Sequence, residues 1–235
     1  MAATSATSLT RLPGPALYIG HGTGGKWTVE PGGVIAGEQD HPQWAPDGRT
    51  IAFENRLERA SQTEVLILDL ETRVARKLAE SDADQRYPVW SPDGRSVYFS
   101  SKSQDRAGVW EASLDRARQP RLIVEGDGLA PAAVHGGFLY VVERTRGNRG
   151  PLWRTRLPEA RPREPLVERV YADDHALRGD SLAYVEGVAE NDEGWIVLLD
   201  LPTRRRMRLV SAGPYEMGQG SGLSISPDGQ WIIYP

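Results

Sequence analysis

Four short constellations in this 235-residue chain carry residue types that could do chemistry. Gly20-His21-Gly22-Thr23-Gly24-Gly25-Lys26 fits the letters of a phosphate-binding loop, in which backbone N–H groups cradle a phosphate and the lysine neutralises it. That chemistry also needs a hydroxyl after the lysine to hold magnesium, and a helix behind the loop. Trp27 stands where the hydroxyl should be, and Thr28-Val29-Glu30-Pro31-Gly32-Gly33 is not a helical sequence. The run therefore reads as a glycine-rich loop between strands. Asp173-Asp174-His175 offers carboxylate and imidazole, the atoms of a metal site, but the chain has four histidines and no second cluster of ligands. Asp82 and Asp84 lack the remaining acidic positions and the glycine of a calcium loop. Gly218-Gln219-Gly220-Ser221-Gly222 approaches a nucleophile elbow in letters but not in spacing. No catalytic residue, no metal and no cofactor is expected.

Charge and composition narrow the class. The net charge is −4 and the pI about 5.7, without the basic face that nucleic-acid affinity requires. There is no cysteine, which removes disulfides, thiolate chemistry and cysteine-ligated metals. No apolar stretch approaches the roughly 18 residues of a membrane helix, so no membrane insertion is expected. Met1–Thr10 lacks the basic start and apolar run of a secretion signal and reads as a flexible lead-in. With 25 glycines and 17 prolines the chain is rich in turns.

The elements that would position any site come from a repeat. Pro42-Gln43-Trp44-Ala45-Pro46-Asp47-Gly48-Arg49-Thr50-Ile51-Ala52-Phe53 recurs as Pro88-Val89-Trp90-Ser91-Pro92-Asp93-Gly94-Arg95-Ser96-Val97-Tyr98-Phe99. It returns as Ser224-Ile225-Ser226-Pro227-Asp228-Gly229-Gln230-Trp231-Ile232-Ile233-Tyr234. Weaker copies centre on Gly137 and Gly179, and the five turn glycines are spaced by 46, 43, 42 and 50 residues. Proline presets one turn position, glycine accepts the positive φ that ends the turn, and the aspartate closes it by bonding nearby backbone. Asp47, Gly48, Asp93, Gly94, Asp228 and Gly229 are thus read as structural turn residues. Two further strands follow each hairpin: Val65–Asp69 and Val74–Leu78, Val109–Ser113 and Arg121–Val124, Leu152–Leu157 and Pro165–Val170, Trp195–Leu199 and Met207–Val210. Four antiparallel strands every 40–50 residues predict an all-β propeller built from four-stranded blades.

The copies around Trp44 and Trp90, with Phe53-Glu54-Asn55-Arg56 and Phe99-Ser100-Ser101-Lys102 behind them, resemble the WD-repeat-like propeller family of TolB. The likeness covers about Gly14 to Pro235. Its repeat order resembles the C-terminal propellers of bacterial winged-helix regulators. Blades of this kind serve periplasmic scaffolds, peptidase gating domains and sensor domains, so the resemblance is specific for the fold and not for the function. A parent resembling TolB or a membrane-anchored regulator would place the propeller outside the cytoplasm, and the chain itself does not assign a compartment. The expected organisation is a lead-in over 1–13 and one propeller over 14–235. Its blades fall at about 14–40 (partial), 41–85, 86–129, 130–172, 173–220 and 221–235 (partial). This is a six-bladed ring with incomplete ends; a closed five-bladed ring is the alternative.

Loops after each second strand and loops joining blades share one face of such a ring. That face would carry Arg56, Arg86, Arg106, Arg144, Arg146, Arg149, Asp174 and Tyr215, with Arg59, Glu190, Asp192 and Met217 among them. It is polar, mixed in charge and suited to a protein or peptide partner of a monomeric module. Arg204, Arg206 and Arg208 alternate on an outer strand and share a face, which reads as a solvated rim or an acidic-partner surface. The competing reading is an enzyme, or a gating domain of one, acting on peptides or glycans. Propeller glycosidases need paired carboxylates on inner strands. The expected inner strands Gln43–Ala45, Val89–Ser91, Ala132–Val134, His175–Leu177 and Leu223–Ile225 contain neither Asp nor Glu. Trp44 and Trp90, and likewise Trp110, Trp153 and Trp195, recur at equal blade positions, which favours packing between blades over sugar stacking.

Overall fold

A computed structural model describes residues 3–8, 17–23, 26–31, 35–57, 62–103, 105–115, 118–145, 148–187, 193–214, 223–225 and 232–233. All regular structure among them is β. The chain divides into two compact units, Met1–Gly126 and Asp127–Pro235.

In the first unit, β1 (Ala3–Ser8), β2 (Leu17–Thr23) and β3 (Lys26–Pro31) form one antiparallel sheet. β4 (Glu38–Trp44), β5 (Thr50–Arg56), β6 (Glu64–Asp69) and β7 (Val74–Lys77) form a second. β8 (Gln85–Trp90), β9 (Ser96–Ser103), β10 (Arg106–Ser113) and β11 (Arg121–Glu125) form a third. The two four-stranded sheets follow chain order, the meander expected of blades. Two details differ from the expectations. Ala3–Ser8, expected as a lead-in, is a strand paired with β2. Gly20-His21-Gly22-Thr23, expected as a loop, lies within β2, paired with Lys26–Val29 of β3. A hairpin strand offers no converging N–H groups at a helix start, so the phosphate-loop letters have no phosphate-loop backbone behind them.

Both faces of the second sheet are buried, which explains why β5 reads as a continuous apolar run rather than an alternating one. Ile51, Phe53, Leu66 and Leu68 pack with Ile35, Trp44 and Ala75 on one face. Ala45, Ala52, Val65, Ile67 and Leu78 pack on the other against Trp90, Val97, Phe99, Trp110 and Ala112 of the third sheet. Trp90 Nε1 donates to Gln43 O at 3.0 Å across that junction. Small residues on one sheet thus face large aromatics on the next.

The turns behave as the repeat predicts. Asp47 Oδ1 accepts the Arg49 and Thr50 N–H groups at 2.8 and 3.2 Å, and Gly48 has φ of 67°. Asp93 Oδ1 accepts the Arg95 N–H at 3.0 Å and the Ser91 hydroxyl at 2.6 Å, with Gly94 at φ of 68°. Asp228 and Gly229 lie outside the described residues. A second turn motif joins third to fourth strands. Asp69-Leu70-Glu71-Thr72-Arg73 and Asp200-Leu201-Pro202-Thr203-Arg204 each use the aspartate Oδ1 to take the threonine N–H, at 2.8 and 2.9 Å.

In the second unit, β12 (Leu129–His135), β13 (Phe138–Glu143), β14 (Arg149–Arg156), β15 (Arg163–Arg178), β16 (Ser181–Gly187), β17 (Glu193–Asp200) and β18 (Arg206–Pro214) form one seven-stranded antiparallel sheet. β19 (Ser224–Ile225) pairs with β20 (Ile232–Ile233). Pro165–Val170 and His175–Leu177, expected as separate strands, are joined in the 16-residue β15. β15 pairs with β14 up to Tyr171 and with β16 at Val170 and again from His175 to Arg178, with an irregularity between Val170 and His175. The link here is Ala172-Asp173-Asp174, without the glycines of Gly126-Asp127-Gly128, so extended backbone continues through it.

Gly108 and Gly150 sit beside register shifts at the start of third strands, just before Trp110 and Trp153. A Cβ at Gly150 would lie 1.8 Å from Glu143 O, and one at Gly108 2.1 Å from Val124 O. Gly150→Ala is expected to cost about 1–3 kcal/mol in urea unfolding, whereas Gly48→Asn, at an open positive-φ turn, stays within about 0.5 kcal/mol. Hydrogen bonds from Thr72, Ser91 and Thr203 hold the Asp69, Asp93 and Asp200 carboxyls below their ordinary values. The stability they add is present above the unfolded carboxylate value of about 3.9 and is lost as pH falls through the lower folded values. The triple Asp→Asn variant should therefore flatten the acid limb of the urea midpoint against pH; an unchanged limb would remove the turns from acid stability.

Candidate functional site

In the first unit the site begins with a distortion of the inner strands. β4 is irregular between Asp40 and Gln43, and β8 between Arg86 and Val89. His41 and Tyr87 occupy the same repeat position there, each before proline, with φ of 49° and 55°. A positive φ costs a residue with a Cβ about 1–2 kcal/mol, so neighbouring contacts must hold it. Glu54, buried on β5, accepts the Tyr87 N–H at 2.7 Å through Oε1. The same oxygen lies 3.1 Å from His41 Nδ1, and Asp40 Oδ2 lies 3.7 Å from that nitrogen. The His41 ring stands edge-on to Tyr87 at 5.1 Å between centroids. A buried carboxylate thus ties two sheets together at their inner strands. Gln39 and Gln85, one repeat apart, are also buried; Gln85 Oε1 accepts the Val65 N–H at 3.2 Å.

The strand ends of the second and third sheets carry solvent-facing ion pairs. Arg56 at the end of β5 bonds Glu38 through Nε at 3.1 Å and through Nη2, and Glu38 holds its guanidinium above the usual value. Arg86 faces Asp84 at 3.6 Å, and Arg106 bonds Glu125 at 2.9 Å. Arg106 holds the Glu125 carboxyl below its ordinary value. Lys77 bonds Glu64 at 2.5 Å. Asp84, weighed above as a cation ligand, accepts the Thr63 N–H at 2.7 Å and so fixes the start of β6. Pairs this exposed are screened by solvent and contribute little to folding, so a partner could exchange them at little cost.

In the second unit the expected residues are more enclosed. Arg149 Nη1 donates to the Tyr171 hydroxyl at 3.2 Å, and its guanidinium lies 5.8 Å from that ring. Arg144 Nη1 donates to Asn148 Oδ1 at 3.3 Å. Asp174 is buried at 2% exposure, at the place along β15 that His41 and Tyr87 hold in β4 and β8. Arg146, Tyr215, Arg59, Glu190, Asp192 and Met217 lie outside the described residues. Among the described residues no group of three His, Asp or Glu side chains could hold a metal ion.

One premise from the sequence needs correction. The inner strands are longer than expected: β4 begins at Glu38 and includes Asp40, and β15 includes Asp173 and Asp174. Inner strands therefore do contain carboxylates. Glu38 is held by Arg56, and Asp40 Oδ1 accepts the His41 N–H at 2.8 Å. Sequence reasoning also missed the group of Glu54, His41 and Tyr87. Its signals were a glutamate where the next repeat has Ser100, and a ring-bearing residue before each repeat proline. Glu54→Leu keeps the volume but leaves the Tyr87 N–H unpaired, and should cost about 1–3 kcal/mol in urea unfolding. Wild-type stability in that variant would show that Glu54 does not hold the bulge.

No family model matches the chain, and no curated protein does. Solved structures do. A protein assigned as TolB from Agrobacterium tumefaciens superimposes with a TM-score of 0.69 at 16% identity, over 100% of this chain and 90% of that one. TolB from Acinetobacter baumannii gives 0.66 at 19% identity, over 92% of this chain and 52% of that one. Against that protein the chain spans about half the length. Oligogalacturonate lyase from Vibrio parahaemolyticus gives 0.59 at 11% identity, over 93% and 64%. At such identities the likeness speaks for the architecture, and with the antiparallel meanders above it gives the fold of this chain: a TolB-like β-propeller.

Proposed function

We propose that this chain is a non-catalytic interaction module, binding a protein or peptide through the loop-bearing strand ends, within a larger bacterial signalling or regulatory protein. The observation that carries the reading is the set of exposed, exchangeable ion pairs at those ends: Arg56 with Glu38, Arg86 with Asp84, and Arg106 with Glu125. They alternate in sign, which suits register with a mixed-charge partner more than capture of one uniform polyanion. The nearby carboxylates are engaged in holding backbone: Glu54 on Tyr87, Asp84 on Thr63, Asp40 on His41. A general acid or base would instead be poised toward open space.

A second reading is a substrate-binding or gating propeller of an enzyme acting on peptides or glycans. It draws on the likeness to oligogalacturonate lyase and on the carboxylates now placed in β4 and β15. The two separate in one experiment. The immobilised chain and its Arg56→Glu/Arg86→Glu/Arg106→Glu variant are compared for proteins captured from bacterial extract, by quantitative mass spectrometry. The interaction reading expects specific captures reduced at least about tenfold, a change of roughly 1.4 kcal/mol. Unchanged capture overturns it, and turnover of oligogalacturonate or a peptide by the purified chain would favour the second reading.

A further inference from the structure

The outermost strand of the second unit differs from its counterparts in the first. β7 has four residues and β11 five, and Val124 of β11 is buried. β18 has nine, and every residue from Pro202 to Ser211 is exposed. Met207, Leu209 and Val210 are exposed by 53, 42 and 38%. β18 is the last strand in its sheet, paired with β17 on one side only among the described strands. An antiparallel edge turns alternate N–H and C=O groups outward, a template for a further strand. Natural edges are blunted by shortness, charge or bulges. This one is long and partly apolar, but it carries arginines and holds extra residues against β17 at Leu209 and Ala212, so it would accept only a strand that answers its charge.

Charge indicates what it would accept. Arg204, Arg205, Arg206 and Arg208 crowd its first half. Arg204 bonds Glu164 at 2.7 Å, while Arg206 and Arg208 each bond Glu186 at 3.0 Å. Three of these arginines thus meet two glutamates and Arg205 adds a fourth positive charge, a positive local balance on a chain of net charge −4. Arg206 and Arg208 reach one carboxylate and so share a face; Met207 stands between them in sequence and points the other way. We propose that β18 receives an extended peptide of alternating acidic and apolar residues as an additional strand. Its backbone would pair with the open edge, its acidic residues would meet the arginines, and its apolar residues would cover Met207, Leu209 and Val210. The proposal uses none of Arg56, Arg86 and Arg106 and stands without the reading given for them.

The test is a polarisation titration of the full chain into a labelled ten-residue peptide alternating Glu and Val. Two controls are used: the same peptide with Lys for Glu, and the Glu peptide N-methylated at alternate residues. The expected result is saturable binding that weakens with salt. Affinity should fall at least about tenfold for each control and for the Arg205→Glu/Met207→Glu variant. Arg56→Glu/Arg106→Glu should bind as wild type, so failure here and failure of the loop-face reading are distinguishable. Absence of saturable binding overturns the proposal, as does equal affinity for the N-methylated peptide. Dimerisation of the chain that Met207→Glu abolishes would assign the edge to a second copy and overturn it as well.

Discussion

A four-stranded sheet that is apolar on both faces is stable only when another sheet covers each face. Here Ile51 and Phe53 point one way from β5 and Ala52 the other, and all three are wholly buried. Fully burying a side chain such as Phe53 is worth about 1.5–3 kcal/mol, and neither face can be given up. Packing sheet on sheet then becomes obligatory, and the twist of each sheet turns a stack into a propeller. Small residues against large ones settle how closely successive sheets approach: Ala45 and Ala52 leave room for Trp90, Phe99 and Trp110. Trp90 and Trp110 are thereby part of the wedge between the second and third sheets.

Polar groups follow from that constraint. Where inner strands crowd together, their pleat breaks at His41 and Tyr87, and the broken pairing strands an N–H that Glu54 accepts. Burying a carboxylate is costly unless it is hydrogen-bonded, so Glu54 is best placed where a bulge supplies donors. Charges at the strand ends are under no such demand. They pair in solvent, where each pair contributes little to folding, and so remain open to exchange with a partner.

The same logic separates edge from interior. Middle strands such as β5, β6, β9 and β10 are paired on both sides within their sheets. Outer strands have one free edge, and β7 and β11 keep it short. β18 keeps it long and surrounds it with arginine, which resists pairing with basic or neutral strands while leaving it attractive to an acidic one.

The sequence by itself determined the blade pattern. Pro-Asp-Gly hairpins, the 40–50-residue period and recurrent tryptophans are local or periodic signals, and such signals survive without knowledge of what packs on what. The described hairpins at Gly48 and Gly94 form with the side-chain bonds their residue types imply. The expected arginines Arg56, Arg86 and Arg106 fall at strand ends because strand length follows from turn spacing. Only the tertiary structure decided how far inner strands run, since β4 gains Glu38 to Asp40 by pairing with Glu54 to Arg56. It alone fused two expected strands into β15, and it alone brought Glu54 of one sheet to Tyr87 of the next, 33 positions along the chain. One row shows the reason with particular clarity. Across adjacent strands Tyr98 meets Glu111 and Glu111 meets Arg121, while in the other unit Tyr140 meets Arg154 and Arg154 meets Glu164. The two rows are equivalent in register and reversed in sign. Pairing depends on the product of two charges, so either order satisfies it, and a repeat read one position at a time does not register it.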